Sequence, residues 1–93
     1  MQIQRFQDHI ARIYGRRDNE RGVSATVAWI VEEVGELAQA VRKGSPADQA
    51  HELGDVMAWL ASLANQLGIS LDSAISRFDR GCPRCRSNPC ECP

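Results

Sequence analysis

The stretch WIVEEVGELAQAVRKGSPADQAHELGDVMAW, residues 29–59, decides the fold. Its apolar residues recur at helical spacing on both sides of a break at Gly44, Ser45 and Pro46. Gly44 stops one helix, Ser45 suits the N-cap of the next, Pro46 suits its first position, and Asp48 completes a capping-box-like pattern. Two helices joined by so short a turn run antiparallel. The pairs Glu36 with Glu52, Glu33 with Asp55 and Trp29 with Trp59 are then each centred on Gly44, in matched layers one turn apart. Within each helix the spacing puts Glu33 with Glu36, and Glu52 with Asp55, on one face. That face lies opposite the apolar stripe of the first helix and beside that of the second.

Outward from this hairpin the period stays helical. The helix before the turn should run from about Ser24 to Lys43, with Val27, Ile30, Val31, Val34, Ala38 and Val41 as its stripe. The helix after it should reach Leu67, striped by Leu53, Val56, Met57, Leu60, Leu63 and Leu67 and ended by Gly68. A short helix is expected from Leu71 to Arg80, with Asp72 at its positive end. Upstream, Ile3, Phe6, Ile10, Ile13 and Tyr14 stripe a first helix, and Gly15 to Gly22 reads as a polar break. Strand patterning and internal repeats are absent. The reading is an all-α helical bundle subunit over residues 1–80, followed by an irregular four-cysteine tail over residues 81–93.

At 93 residues one domain is expected, near the size at which a lone chain buries too little surface for comfort. The apolar stripes point largely away from the acids, so the outer helices or a partner chain must cover them. A homodimer or homotetramer is the expectation. The formal net charge of −1 supplies no basic field for duplex nucleic acid, which disfavours a nucleic-acid reader. No apolar run approaches a signal segment or a membrane span, and a cytoplasmic protein without membrane contact is expected.

Four converging carboxylates would repel one another, and no lysine within the same layers neutralises them. A divalent cation would, and carboxylate oxygens suit Mg²⁺ or Mn²⁺. Gly35 and Gly54, each mid-helix between two acids, suggest a close approach of the two backbones, since glycine there otherwise costs about 1 kcal/mol. The plainer alternative is an ordinary solvated acidic face. Trp29 and Trp59, on the same face one turn away, either stack against a nucleobase or pack on helix 1 or a second subunit.

The residues E-E-V-G-E-L-A-Q-A from Glu32 and E-L-G-D from Glu52 resemble the paired E-E-x-x-E and E-x-x-D motifs of MazG-like nucleotide pyrophosphohydrolases. The resemblance covers the hairpin and extends more loosely from helix 1 to Arg80. It implies an all-α nucleoside triphosphate pyrophosphatase fold, an oligomer, and Mg²⁺-dependent cleavage between the α- and β-phosphates to a nucleoside monophosphate and pyrophosphate. Such activity clears nucleotide pools. It further implies Glu33, Glu36, Glu52 and Asp55 as metal ligands, with Glu32 orienting or deprotonating the attacking water. Lys43, on the acidic face at the helix end, either meets the outer phosphates or partners the helix dipole. His9 and Tyr14 either line a base pocket or pack as ordinary helix residues.

The tail spaces Cys82, Cys85, Cys90 and Cys92 as C-x2-C-x4-C-x-C, which suits four thiolates on one Zn²⁺ ahead of a disulfide pair. Arg84 and Arg86 make it slightly basic. The alternative function is a catalytically silent helical module whose zinc-binding tail engages a partner protein.

Overall fold

The computed structural model describes residues 2–93 and contains four α-helices: α1 (Ile3–Arg21), α2 (Val23–Lys43), α3 (Pro46–Leu67) and α4 (Leu71–Ile75). A 3₁₀ turn over Ser76–Phe78 follows α4, and no strand occurs among the described residues. Central in the bundle, α3 packs extensively against both α2 and α1, while α1 and α2 meet each other far less. None of these helices is long and apolar enough to cross a membrane.

The turn between α2 and α3 forms as its residues dictate. The Ser45 hydroxyl accepts from the Asp48 amide at 3.1 Å, and the Asp48 carboxylate accepts from the Ser45 amide at 3.0 Å, a reciprocal capping box. That bond to Ser45 is also what holds the Asp48 carboxyl below its ordinary pKa. Gly44 is required by space, because a Cβ there would lie 2.8 Å from the Ala40 carbonyl oxygen. Across the hairpin the Gln49 side-chain amide donates to that same carbonyl at 3.3 Å, setting the register. At the far end of α3, Gly68 adopts φ +67 and the Ile69 amide donates back to the Ala64 carbonyl at 2.9 Å.

Three expectations fail. The segment Gly15 to Gly22 is not a break: α1 continues to Arg21, helped by the Arg16–Glu20 pair at 3.4 Å, four residues apart. The turn is Gly22 alone, at φ 86 and ψ 162, a conformation open in practice only to glycine. The last helix stops at Ile75 rather than Arg80, where the Ser76 hydroxyl donates to the Ser73 carbonyl at 2.7 Å and competes with the helical ladder. No apolar packing rescues it, since Phe78 is exposed. Gly35 and Gly54 do not mark a close approach, because a Cβ at either would meet nothing within 4 Å.

The burial pattern explains that third failure. On α2 the shielded positions recur at Thr26, Ile30, Glu33, Leu37 and Ala40, spaced alternately by four and three, as a packed helical seam demands. Glu33 therefore sits in the seam facing α3, on the side of α2 away from the valine stripe. The valine stripe of α2 points outward: Val27, Val31, Val34 and Val41 are all exposed, Val31 by 67%. On α3, Leu53, Met57, Leu60 and Leu67 are exposed as well, so neither α1 nor α4 covers the hairpin's most apolar face.

Polar bonds lock α1 to the start of α4. Gln7, only 4% exposed, donates to the Ile69 carbonyl at 2.7 Å and to the Asn65 side chain at 3.0 Å, and accepts from the Leu71 amide at 2.8 Å. Its buried amide is thus fully satisfied, as a buried polar group must be. Ser70 adds a bond to Gln4 at 2.7 Å.

Candidate active site

Antiparallel pairing brings the acids of α2 and α3 together. Oxygens of Glu33, Glu36 and Glu52 lie within 4.8 Å of one another, and atoms of His51, Glu52 and Asp55 form a second grouping of the same size. Glu52 belongs to both and joins them. Both Glu33 and Glu52 bury an Oε2 atom that has no hydrogen-bond partner. Burial first, and then the negative charges of Glu36, Asp55 and Glu52, push the Glu33 carboxyl above its ordinary pKa.

Buried carboxylate oxygens that repel one another and lack donors are a poor solution without a cation and a good one with it. The donor set is all oxygen apart from one imidazole, the chemistry of Mg²⁺ or Mn²⁺. Glu33, Glu36 and Glu52 form one grouping with the donor chemistry of a hard divalent ion, and Asp55 joins it only through Glu52 in the second grouping. Glu32 is exposed and belongs to neither grouping. Lys43 lines an open groove with Glu36, His51 and Glu52 at the turn end of the hairpin.

One layer along, the two indoles meet each other. Trp29 and Trp59 stack with centroids 5.9 Å apart and planes 14° from parallel. The Arg21 guanidinium lies 4.7 Å from the centre of the Trp59 ring. Beside this stack a pocket opens between α1 and α3, lined by Tyr14, Asp18, Arg21, Asp55, Trp59 and Ser62. The pocket thus reaches one of the acids directly. Tyr14 belongs to it, whereas His9 lies in a separate groove with Arg5, Asp8 and Arg12.

Asp18, Arg21 and His51 are site residues that composition and spacing did not single out. Asp18 is 2% exposed; its Oδ1 accepts from Arg21 at 2.8 Å and its Oδ2 has no partner. Arg21 also reaches the Thr26 hydroxyl at 3.3 Å, tying the end of α1 to the start of α2. The two lie three residues apart, a helical ion-pair spacing that the reading of a break concealed. His51 Nε2 lies 3.3 Å from Asp55 Oδ2, one turn away on α3.

The four thiols of the tail also converge, their sulfurs all within 4.8 Å of one another. Backbone amides, led by that of Glu91, hold the Cys85 thiol down to about 6, while its neighbouring thiols push Cys92 up to about 11.

No curated protein matches the chain as a relative. The family model of the MazG nucleotide pyrophosphohydrolase domain matches residues 21–82, which takes in the whole acidic hairpin, the α4 segment and the first cysteine. The match covers more than half of the chain, and the protein belongs to the MazG nucleotide pyrophosphohydrolase domain family.

Proposed function

We propose that the chain hydrolyses nucleoside triphosphates between the α- and β-phosphates in a Mg²⁺-dependent reaction, releasing a nucleoside monophosphate and pyrophosphate. The observation that carries this reading is the pair of buried, partnerless oxygens of Glu33 and Glu52, residues of an acidic grouping with Glu36 that Glu52 links to His51 and Asp55, in a chain of this family.

Glu33, Glu36, Glu52 and Asp55 hold the ion in this reading. Bound there, Mg²⁺ would neutralise phosphate oxygens and make a water more acidic. A water forms the new bond to the α-phosphorus as the bond from that phosphorus to the oxygen bridging to the β-phosphate breaks. Glu32, exposed beside the cluster, takes the water's proton, and pyrophosphate leaves with the bridging oxygen. Lys43 meets the outer phosphates from the groove it shares with Glu36 and Glu52. The base sits in the pocket between α1 and α3, against the Trp59 ring that the Trp29 stack holds in place. Asp18, whose Oδ2 is buried without a partner beside this pocket, would accept from an exocyclic amine of a base that reaches it.

The exposed valine stripe of α2 and leucines of α3 support an assembly in which a second copy covers them. Replacing Val31 by Glu should then leave a monomer in sedimentation equilibrium where the parent chain is a dimer or tetramer. A parent chain that is itself monomeric at high concentration would remove this part of the reading.

Turnover in water enriched in heavy oxygen tests the chemistry. Label appearing in the nucleoside monophosphate is expected, because water attacks the α-phosphorus; label confined to pyrophosphate would place the attack elsewhere.

A further inference from the structure

Among the described residues, the acidic hairpin leaves unused another cluster of chemically reactive side chains, the cysteines after α4. Residues 81–93 contain no valine, isoleucine, leucine, methionine or aromatic residue. Thirteen residues of this composition cannot hold a defined fold by burying apolar surface. Something other than packing must hold them.

The backbone is nonetheless bent into a specific turn. The Arg86 amide donates to the Cys82 carbonyl at 2.7 Å, and the Cys82 amide donates to the Ser87 carbonyl at 3.0 Å. Arg86 adopts φ 63 and Gly81 φ 114, both in the left-handed region. Gly81 is doubly constrained, since a Cβ there would lie 2.8 Å from the Ser87 oxygen. This turn folds Cys85 back over Cys82 and delivers the following chain, with Cys90 and Cys92, to the same point.

At that point the sulfur spacing is informative. Cys82 and Cys92 lie 3.7 Å apart, and Cys85 and Cys90 3.9 Å apart. A tetrahedron with zinc–sulfur bonds of ~2.3 Å has edges of about 3.8 Å. A disulfide needs ~2.05 Å. Amides of Glu91 and Cys92 point at the sulfurs of Cys85 and Cys90 at 3.3 and 3.4 Å, the outer hydrogen bonds that steady thiolate ligands. A zinc ion with four thiolates carries two net negative charges, and Arg77, Arg80, Arg84 and Arg86 surround the segment with positive ones.

We infer that Cys82, Cys85, Cys90 and Cys92 form a structural Zn²⁺ site that folds residues 81–93 into a knuckle closing the C-terminal end of the chain. Binding displaces the four thiol protons and involves no change in oxidation state. Only Cys82 falls within the residues matched by the family, so this site is an addition to the catalytic hairpin and does not depend on its activity.

The test uses the full chain purified without chelator. Elemental analysis should find one zinc per chain that survives dialysis, and Co²⁺ exchanged into the protein should give tetrahedral d–d bands with a thiolate charge-transfer band. The double variant Cys85→Ser/Cys90→Ser should lose the zinc and the cobalt spectrum while keeping its helical circular dichroism. Glu52→Gln should keep both, which separates this site from the carboxylates. Four free thiols with no zinc after exposure to the ion, a mass lowered by the hydrogens of two disulfides, or zinc retained by the double variant would each overturn the assignment.

Discussion

Glu33 and Glu52, on opposite helices of the hairpin, each bury a carboxylate oxygen that nothing hydrogen-bonds, within 4.8 Å of a shared neighbour, Glu36. In the proposed reading this relationship makes the chain's stability depend on both proton and cation. Burial, reinforced by Glu36, Asp55 and Glu52, raises the Glu33 pKa. A raised pKa means that the folded chain holds a proton the unfolded chain has already released. The resulting stability is complete below the ordinary glutamate range and is lost as pH rises through the raised value. Mg²⁺ replaces that proton, so its stabilising effect on thermal unfolding should be small in acid and larger above the Glu33 transition. Glu33→Gln should be at least as stable as the parent at neutral pH without metal, and should show a much weaker response to Mg²⁺. An equal Mg²⁺ shift at both ends of the pH range would contradict this.

Removing a ligand should abolish turnover while sparing the fold. Glu36→Gln and Asp55→Asn should each lower kcat/KM by about a thousand-fold, the several kcal/mol that a Lewis-acid metal contributes. Glu32→Gln should lower kcat while leaving Mg²⁺ binding intact, since Glu32 lies outside both carboxylate groupings. Calorimetric titration of Mg²⁺ beside steady-state kinetics separates the two classes.

The Asp18–Arg21 pair should behave as a buried pair, because the Asp18 side chain is 3% exposed. Arg21→Ala strands the carboxylate and removes the cation over Trp59, a loss of about 3 kcal/mol in urea unfolding. Adding Asp18→Asn to Arg21→Ala should recover much of that loss, since the stranded charge is then gone. Additive losses in the double variant would show that the pair is not coupled.

These residues also mark the limit of what could be read from the chain. The capping box at Ser45 and Asp48 was legible because it rests on spacing within a few residues, and the convergence of Glu33, Glu36 and Glu52 because a turn so short forces antiparallel pairing about Gly44. The extension of α1 was not. Glycine and a run of polar residues argue for a break, and what overrides them is the local Asp18–Arg21 pair together with a tertiary bond, the Gln66 side chain donating to the Asp18 carbonyl at 2.7 Å. The valine stripe of α2 points away from the acids as expected and is exposed in the single chain, while the face that meets α3 is Thr26, Ile30, Glu33, Leu37 and Ala40. Which face a helix buries depends on what it packs against, and periodicity alone does not carry that. Of the pocket between α1 and α3, Tyr14 and Trp59 were legible as candidate lining, while Asp18 and Arg21 lie on the α1 extension and were not.

The glycines supply a sharper test of the fold. Gly22→Ala should cost about 1–3 kcal/mol, since φ 86 with ψ 162 is closed to a side chain. Gly35→Ala and Gly54→Ala should instead stabilise by about 1 kcal/mol each, because the new methyl group meets open space in a helix interior. A destabilised Gly35→Ala chain would mean that a second molecule packs on that face.

The most direct test of the central claim is pyrophosphate release from a panel of canonical and modified ribo- and deoxynucleoside triphosphates, with Mg²⁺, with Mn²⁺ and with EDTA, beside Glu36→Gln. The account predicts metal-dependent release from at least one triphosphate, abolished by EDTA and by the substitution. No release from any member of the panel by folded, metal-loaded protein, or release undiminished in Glu36→Gln, would contradict it.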